Sequence, residues 1–156
     1  MVELDIPGYG WVRLQHMVSD FTGTLSVEGK LLPGVRERLD RISEFLELHV
    51  LTADTFGMAR AELVGIRCAM HILEGERHDV QKEEYVNRLS AGTVIAFGNG
   101  INDRKMLKAA RIGVAVCLAE GCAVEALSSA DILVNSIMDG LDLLLHPKRC
   151  KATLRF

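Results

Sequence analysis

The chain has 156 residues, a formal net charge of −3, and 18 Lys and Arg scattered among 21 Asp and Glu, so no basic face marks it for nucleic acid. Half of it is hydrophobic (49%, mean hydropathy +0.18), yet no apolar run approaches the ~20 residues that span a bilayer, which sets a membrane role aside. The length fits a single domain over residues 1–156, able to bury roughly two-thirds of its unfolded surface, and without a basic-then-apolar leader a cytoplasmic location is expected.

In chain order, residues 11–19 read as a strand delivering Asp20 at its end, and 25–32 as a short hairpin. Pro33 then opens a helix through about Glu47. His49–Thr52 is the next strand, followed by a weaker helix at 57–64 and a strand at 69–73. Asp79–Leu89 has helical spacing with its charges on the outer face. The β-branched and aromatic run Thr93–Phe97 is a strand, and a helix from Asn102 to Ala110 comes next. A strand at Ile112–Val116, a helix at 121–128, a strand at 131–134 and a helix near 137–145 complete the series. Strands alternating with helices of about ten residues imply βαβ crossovers, hence an α/β fold with a parallel sheet covered on both faces. The cysteines Cys68, Cys117, Cys122 and Cys150 have no CxxC spacing and no nearby histidine pair, so buried reduced thiols are expected rather than zinc. His16, His49 and His71 read as structural, and His78 and His146 as surface or element-end residues.

Ligands bind beyond the C-terminal ends of the strands in such sheets, and Asp20, Thr52 and the loop Gly98–Asp103 all follow predicted strands. Asp20, in Asp20-Phe21-Thr22-Gly23-Thr24, is a carboxylate able to attack phosphorus, beside a glycine that permits close backbone approach. Thr52 offers a hydroxyl to a phosphate oxygen. Lys82 is the best placed lysine to balance the charge of nucleophile and phosphate. The loop Gly98-Asn99-Gly100-Ile101-Asn102-Asp103 is rich in oxygen donors, which suits a hard cation such as Mg²⁺. No GxxxxGK[ST] loop occurs, and the Gly98–Gly100 stretch lacks the third glycine of a dinucleotide fingerprint.

This ordered set resembles the haloacid dehalogenase superfamily, whose four motifs are DxDxT, a strand-end Thr or Ser, a Lys, and a GDxxxD or GDxxND loop. The resemblance covers the whole chain. Asp20-Phe21-Thr22-Gly23-Thr24-Leu25-Ser26 is similar to the DKTGTLT signature of P-type ATPase phosphorylation domains. TADTFG at 52–57, GNGIND at 98–103 and PKRCKATLR at 147–155 resemble soluble proteins related to those ATPases, found largely in archaea and bacteria. The resemblance implies a Rossmann-like core, Mg²⁺ and an aspartyl-phosphate intermediate. It makes Asp20 the nucleophile, and Phe21, Thr22, Thr52, Ala53 and Lys82 the phosphate site. Asp20, the Thr22 carbonyl, Asn99 and Asp103 become the metal ligands, with Asn102 and Gly98 in support.

Two departures shape the expected function. Thr22 stands where the superfamily has its general acid, a group worth about 10²–10⁴-fold, so slow turnover and a preference for acyl or aryl phosphates are expected. Asp54 is either a substitute acid or a cap on the following helix. Asn99 replaces a metal-binding aspartate, so weak Mg²⁺ binding is expected. The stretches 25–48 and 53–81 leave no room for a cap domain. An open, capless core would serve a phosphorylated small molecule or macromolecule, or be covered by another subunit, with apolar residues of 6–12 (IPGYGWV) as a homo-oligomer contact. The competing reading is a catalytically weak or inactive module that binds phosphate or a protein partner. A dehalogenase, a transport ATPase, and binding to nucleic acid or membrane are all disfavoured.

Overall fold

A computed structural model describes all 156 residues. The chain runs β1 (Val2–Ile6), β2 (Gly10–Leu14), β3 (His16–Asp20), β4 (Ser26–Val27), β5 (Lys30–Leu31), α1 (Val35–Ile42), β6 (Glu47–Thr52), α2 (Met58–Glu62) and β7 (Ala69–Ile72). It continues with α3 (His78–Arg88), β8 (Val94–Gly98), α4 (Arg104–Ala109), β9 (Ile112–Val116), α5 (Val124–Ser129), β10 (Ile132–Val134), α6 (Ile137–Leu145) and α7 (Pro147–Leu154). Six strands form one parallel sheet in the order β10-β9-β8-β3-β6-β7. Every residue of β8 and β9 is buried, as expected of parallel strands covered on both faces. From β3 the chain first winds outward through β6 and β7, then returns to β3's other side with β8. β3 therefore sits at the topological switch point, where such sheets open a crevice.

Strand parity sorts the two faces. Met17, Leu48, Val50, Ile95 and Phe97 pack with α1, α6, α7 and the β1–β2 hairpin in the larger core. Val18, Leu51, Val94 and Ala96 meet Val86 of α3, Met106 and Leu107 of α4, and Ala126 of α5 on the other face. Asp20 and His16 share the parity of Val18, and His49 that of Leu51, so α3 runs over all of them. Between β3 and β6 lie only the β4–β5 hairpin and α1, so no inserted domain covers the sheet's C-terminal edge there.

Several expectations are corrected. Residues 11–19 are not one strand: the chain breaks at Gln15, β2 pairs antiparallel with β1, and β3 alone enters the main sheet. A stretch with no Gly, Pro or other turn signal between its two strands cannot reveal such a change of partner. The helix opened by Pro33 stops at Ile42 rather than Glu47, because Glu47 already pairs with His16 in the sheet. Residues 147–154, given no element from sequence, form α7 with Pro147 in its first turn. In the segment 6–12, Ile6 and Val12 are fully buried in the protein's own core, and Trp11, at 60% exposure, is its exposed large side chain. Of the four free cysteines Cys150 is buried and the others are half-buried.

Candidate active site

Asp20 is the last residue of β3, and two side chains meet it, Lys82 and Thr24. Lys82, on the face of α3 turned to the sheet, is 1% exposed, and its Nζ donates to Asp20 Oδ1 at 2.8 Å and to Asp103 Oδ1 at 2.6 Å. Asp103 is fully buried, and its Oδ2 accepts the backbone N–H of Asn99 at 2.9 Å and of Gly100 at 2.8 Å. Thr24 Oγ1 lies 3.2 Å from both Asp20 Oδ2 and Asn99 Oδ1. Residues as far apart in sequence as Asp20 and Asp103 thus form one continuous network.

The backbone makes this contact possible at two glycines. Gly23 has φ +81°, and a Cβ there would come within 2.4 Å of Asn99 Nδ2. A Cβ on Gly98 would lie 2.6 Å from Asp103 Cβ, so the sheet's edge residue must be bare for the loop to fold back over it. Asn99 is further held by its Nδ2 donating to Gly121 O at 3.1 Å.

Two carboxylates and one ammonium leave a net negative charge in a buried place. Burial, then the charge of Asp103, push the Asp20 carboxyl up to about 6, against the opposing pull of Lys82 and the Phe21 N–H. For Lys82 burial works downward, but the two carboxylates and their hydrogen bonds outweigh it and raise its pKa. The lysine therefore stays an ammonium, while a fraction of Asp20 is protonated in mildly acidic solution.

A cleft of about 420 Å³ opens over this network, lined by Asp20, Phe21, Thr22, Thr52, Ala53, Lys82, Asn99 and Asn102. Asp103 lies beneath its floor with both oxygens engaged, anchoring Lys82 and the loop, while Gly98 gives the loop its close approach. Thr52 ends β6, and its Oγ1 accepts the N–H of Asp54 at 3.2 Å. Asp54 itself accepts the N–H of Ala59 at 2.7 Å and of Arg60 at 3.2 Å, so its carboxylate caps α2. Two residues of the site went unassigned from sequence. Thr24 was seen only as part of a motif, yet it links nucleophile and loop. His78 opens α3 and lines the cleft, one helical turn before Lys82, and that four-residue spacing was its signal. At the mouth, Phe56 is 89% exposed.

A hard cation fits this donor set. Asp20 Oδ2 and Asn99 Oδ1 converge on a single hydroxyl proton, so one oxygen lone pair is left over, and the surrounding charge is negative. Oxygen donors and excess negative charge are what Mg²⁺ takes.

Comparison with known proteins bears on the family and the fold. Residues 70–136 match the family model described as haloacid dehalogenase-like hydrolase. An uncharacterized protein of Methanocaldococcus jannaschii is 48% identical over 62 residues, covering 40% of this chain and 67% of that protein. The probable copper-transporting ATPase HMA5 of Arabidopsis thaliana is 36% identical over 121 residues, 74% of this chain; the match spans only 12% of the ATPase. Among solved structures, 3-deoxy-D-manno-octulosonate 8-phosphate phosphatase from Moraxella catarrhalis, in complex with magnesium and phosphate ions, superposes with a TM-score of 0.70. That match is 15% identical, covers 85% of this chain and 86% of the other, and bears on the fold alone.

Proposed function

The chain belongs to the haloacid dehalogenase superfamily, in its branch related to P-type ATPases, and from that premise we propose that it is a Mg²⁺-dependent phosphatase working through a phosphoaspartate on Asp20. The observation that carries this reading is a strand-end carboxylate at the floor of an open cleft, bonded to a buried ammonium at 2.8 Å. A simple anion-binding surface has no use for a carboxylate aimed at its ligand.

In the proposed reaction Asp20 attacks phosphorus, and the bond to the leaving oxygen breaks with its electron pair going to that oxygen. Water then attacks the phosphoaspartate phosphorus, the P–O bond to Asp20 breaks, and phosphate leaves with the carboxylate restored and one proton released to solvent. Lys82, Thr52 and the backbone N–H groups after Asp20 and Thr52 hold the phosphoryl oxygens. Asp103 keeps Lys82 in place. Asp20, the Thr22 carbonyl and Asn99 would hold Mg²⁺, which supplies positive charge against the phosphoryl group. Thr22 has no acidic proton and Asp54 is engaged as a helix cap, so neither supplies a general acid to the leaving group. Acyl and aryl phosphates, whose leaving groups need no proton, are the favoured substrates. The uncovered cleft with Phe56 at its mouth suits a phosphorylated macromolecule as well as a small phosphate.

Hydrolysis of p-nitrophenyl phosphate and acetyl phosphate by wild type and Asp20→Asn, with Mg²⁺ and with chelator, tests the reading. Turnover that needs both Asp20 and Mg²⁺ supports it; none under any condition transfers the assignment to a phosphate-binding or regulatory module.

A further inference from the structure

At the opposite, N-terminal edge of the sheet, β3 and β6 begin with a second polar cluster. His16 pairs in register with Glu47, and His49 stands two residues further along β6 on the same face. His16 Nδ1 lies 3.2 Å from His49 Nε2 and 3.4 Å from Glu47 Oε2, and all three donors fall within 4.8 Å of one another. His49 Nδ1 is 3.0 Å from the hydroxyl of Tyr85 on α3.

From this geometry we infer that His16, Glu47 and His49 form a binding site for a divalent transition-metal ion of the zinc class. Ligand atoms around a tetrahedral ion with bonds of about 2.0–2.1 Å lie roughly 3.3–3.4 Å apart. The two contacts of His16 match that spacing, whereas a hydrogen bond between the rings accounts for just one of them. Tyr85 supplies the outer support that metal-bound histidines require. With the Nδ1–H of His49 donated to the Tyr85 oxygen, its Nε2 turns a free lone pair toward the cluster. Two imidazoles and one carboxylate select zinc-like ions over Mg²⁺. Glu47 and His49 border a groove of about 890 Å³, so a fourth position stays open to water. The ion would join the first residue of β3 to the start of β6. It would sit about 13 Å from Asp20, at four strand residues of roughly 3.3 Å each, too far to touch a phosphate there.

Zn²⁺ titration of the metal-stripped full chain against a chromophoric chelator, in excess Mg²⁺ so that the cleft is occupied, tests the site. One equivalent of Zn²⁺ should bind and raise the melting temperature, and Co²⁺ should give the visible absorption of a four-coordinate ion. His16→Gln and Glu47→Gln should each abolish tight binding. The Glu47 side chain is 75% exposed, so its substitution leaves the fold intact, and circular dichroism checks the His16 variant. Tyr85→Phe should weaken binding about 10–100-fold, while Asp20→Asn should leave it unchanged. Binding that survives His16→Gln and Glu47→Gln together, that disappears in Asp20→Asn or Cys117→Ser, or that is absent in wild type would overturn the proposal.

Discussion

At their C-terminal ends β3 and β6 carry Asp20 and Thr52, and at their N-terminal ends His16, Glu47 and His49; α3 serves both, with Lys82 reaching one end and Tyr85 the other. At the first end charge is buried and met by opposite charge: two carboxylates share one ammonium. At the second end His49 is buried and Glu47 is largely exposed, and His16, His49 and Tyr85 contact one another at hydrogen-bond distance. The contrast shows how one helix laid across two strands can support a charged, reactive site at one end and an imidazole cluster at the other. It also says where substitutions should hurt most.

The largest effect should come from Asp20→Asn, which keeps the shape and removes the nucleophile, with a loss of turnover on the order of 10⁴-fold or more in steady-state assays. Lys82→Met leaves Asp20 and Asp103 facing each other unpaired. Breaking a buried pair from one side costs about 3–5 kcal/mol, to be read in urea denaturation. Thr22→Asp restores an acid and should speed hydrolysis of alkyl phosphates about 10²-fold; no gain would remove the explanation for slow turnover. In the metal-free chain pH should act oppositely at the two ends. The Asp20 carboxyl is raised from 3.8 to about 6 in the fold, so its contribution to stability is complete below about 4 and lost as pH rises through 6. The reactive carboxylate grows in over that same window. The pKa of His49 is lowered from 6.5, so its contribution is present above about 6.5 and lost as pH falls through the lowered value. Carbon-detected titration of the Asp and His side chains would show both. The smallest effect should be Tyr85→Phe without added metal, roughly 1 kcal/mol for one partly buried hydrogen bond. A loss as large as that of Lys82→Met would erase the distinction between the two ends.

Much of the catalytic end was legible before folding because each of its residues sits beside a local signal. Asp20, Thr52 and the Gly98–Asp103 loop follow apolar runs that read as strands, and the sheet rule then gathers them at one edge. Lys82 was legible by its place in the helix that must cover that edge. Thr24 and His78 were harder, since a threonine in a turn and a histidine at a helix end have many ordinary roles. The N-terminal end was not legible at all. His16 and His49 are 33 positions apart, inside runs whose apolar neighbours explain them sufficiently, and nothing local says that they touch.

Sequence periodicity and turn chemistry by themselves determined the α/β class, the order of the sheet's strands and helices along the chain, and the placing of Asp20, Thr52 and the Gly98–Asp103 loop after strands, because those follow from backbone preferences acting over a few residues. Only the tertiary structure decided that the chain breaks at Gln15 to give the β1–β2 hairpin its own sheet, that Asp103 lies under the cleft while Asn99 faces it, and that His16, Glu47 and His49 converge. Each of these depends on register between distant strands, and register is set by the packing of whole faces against one another.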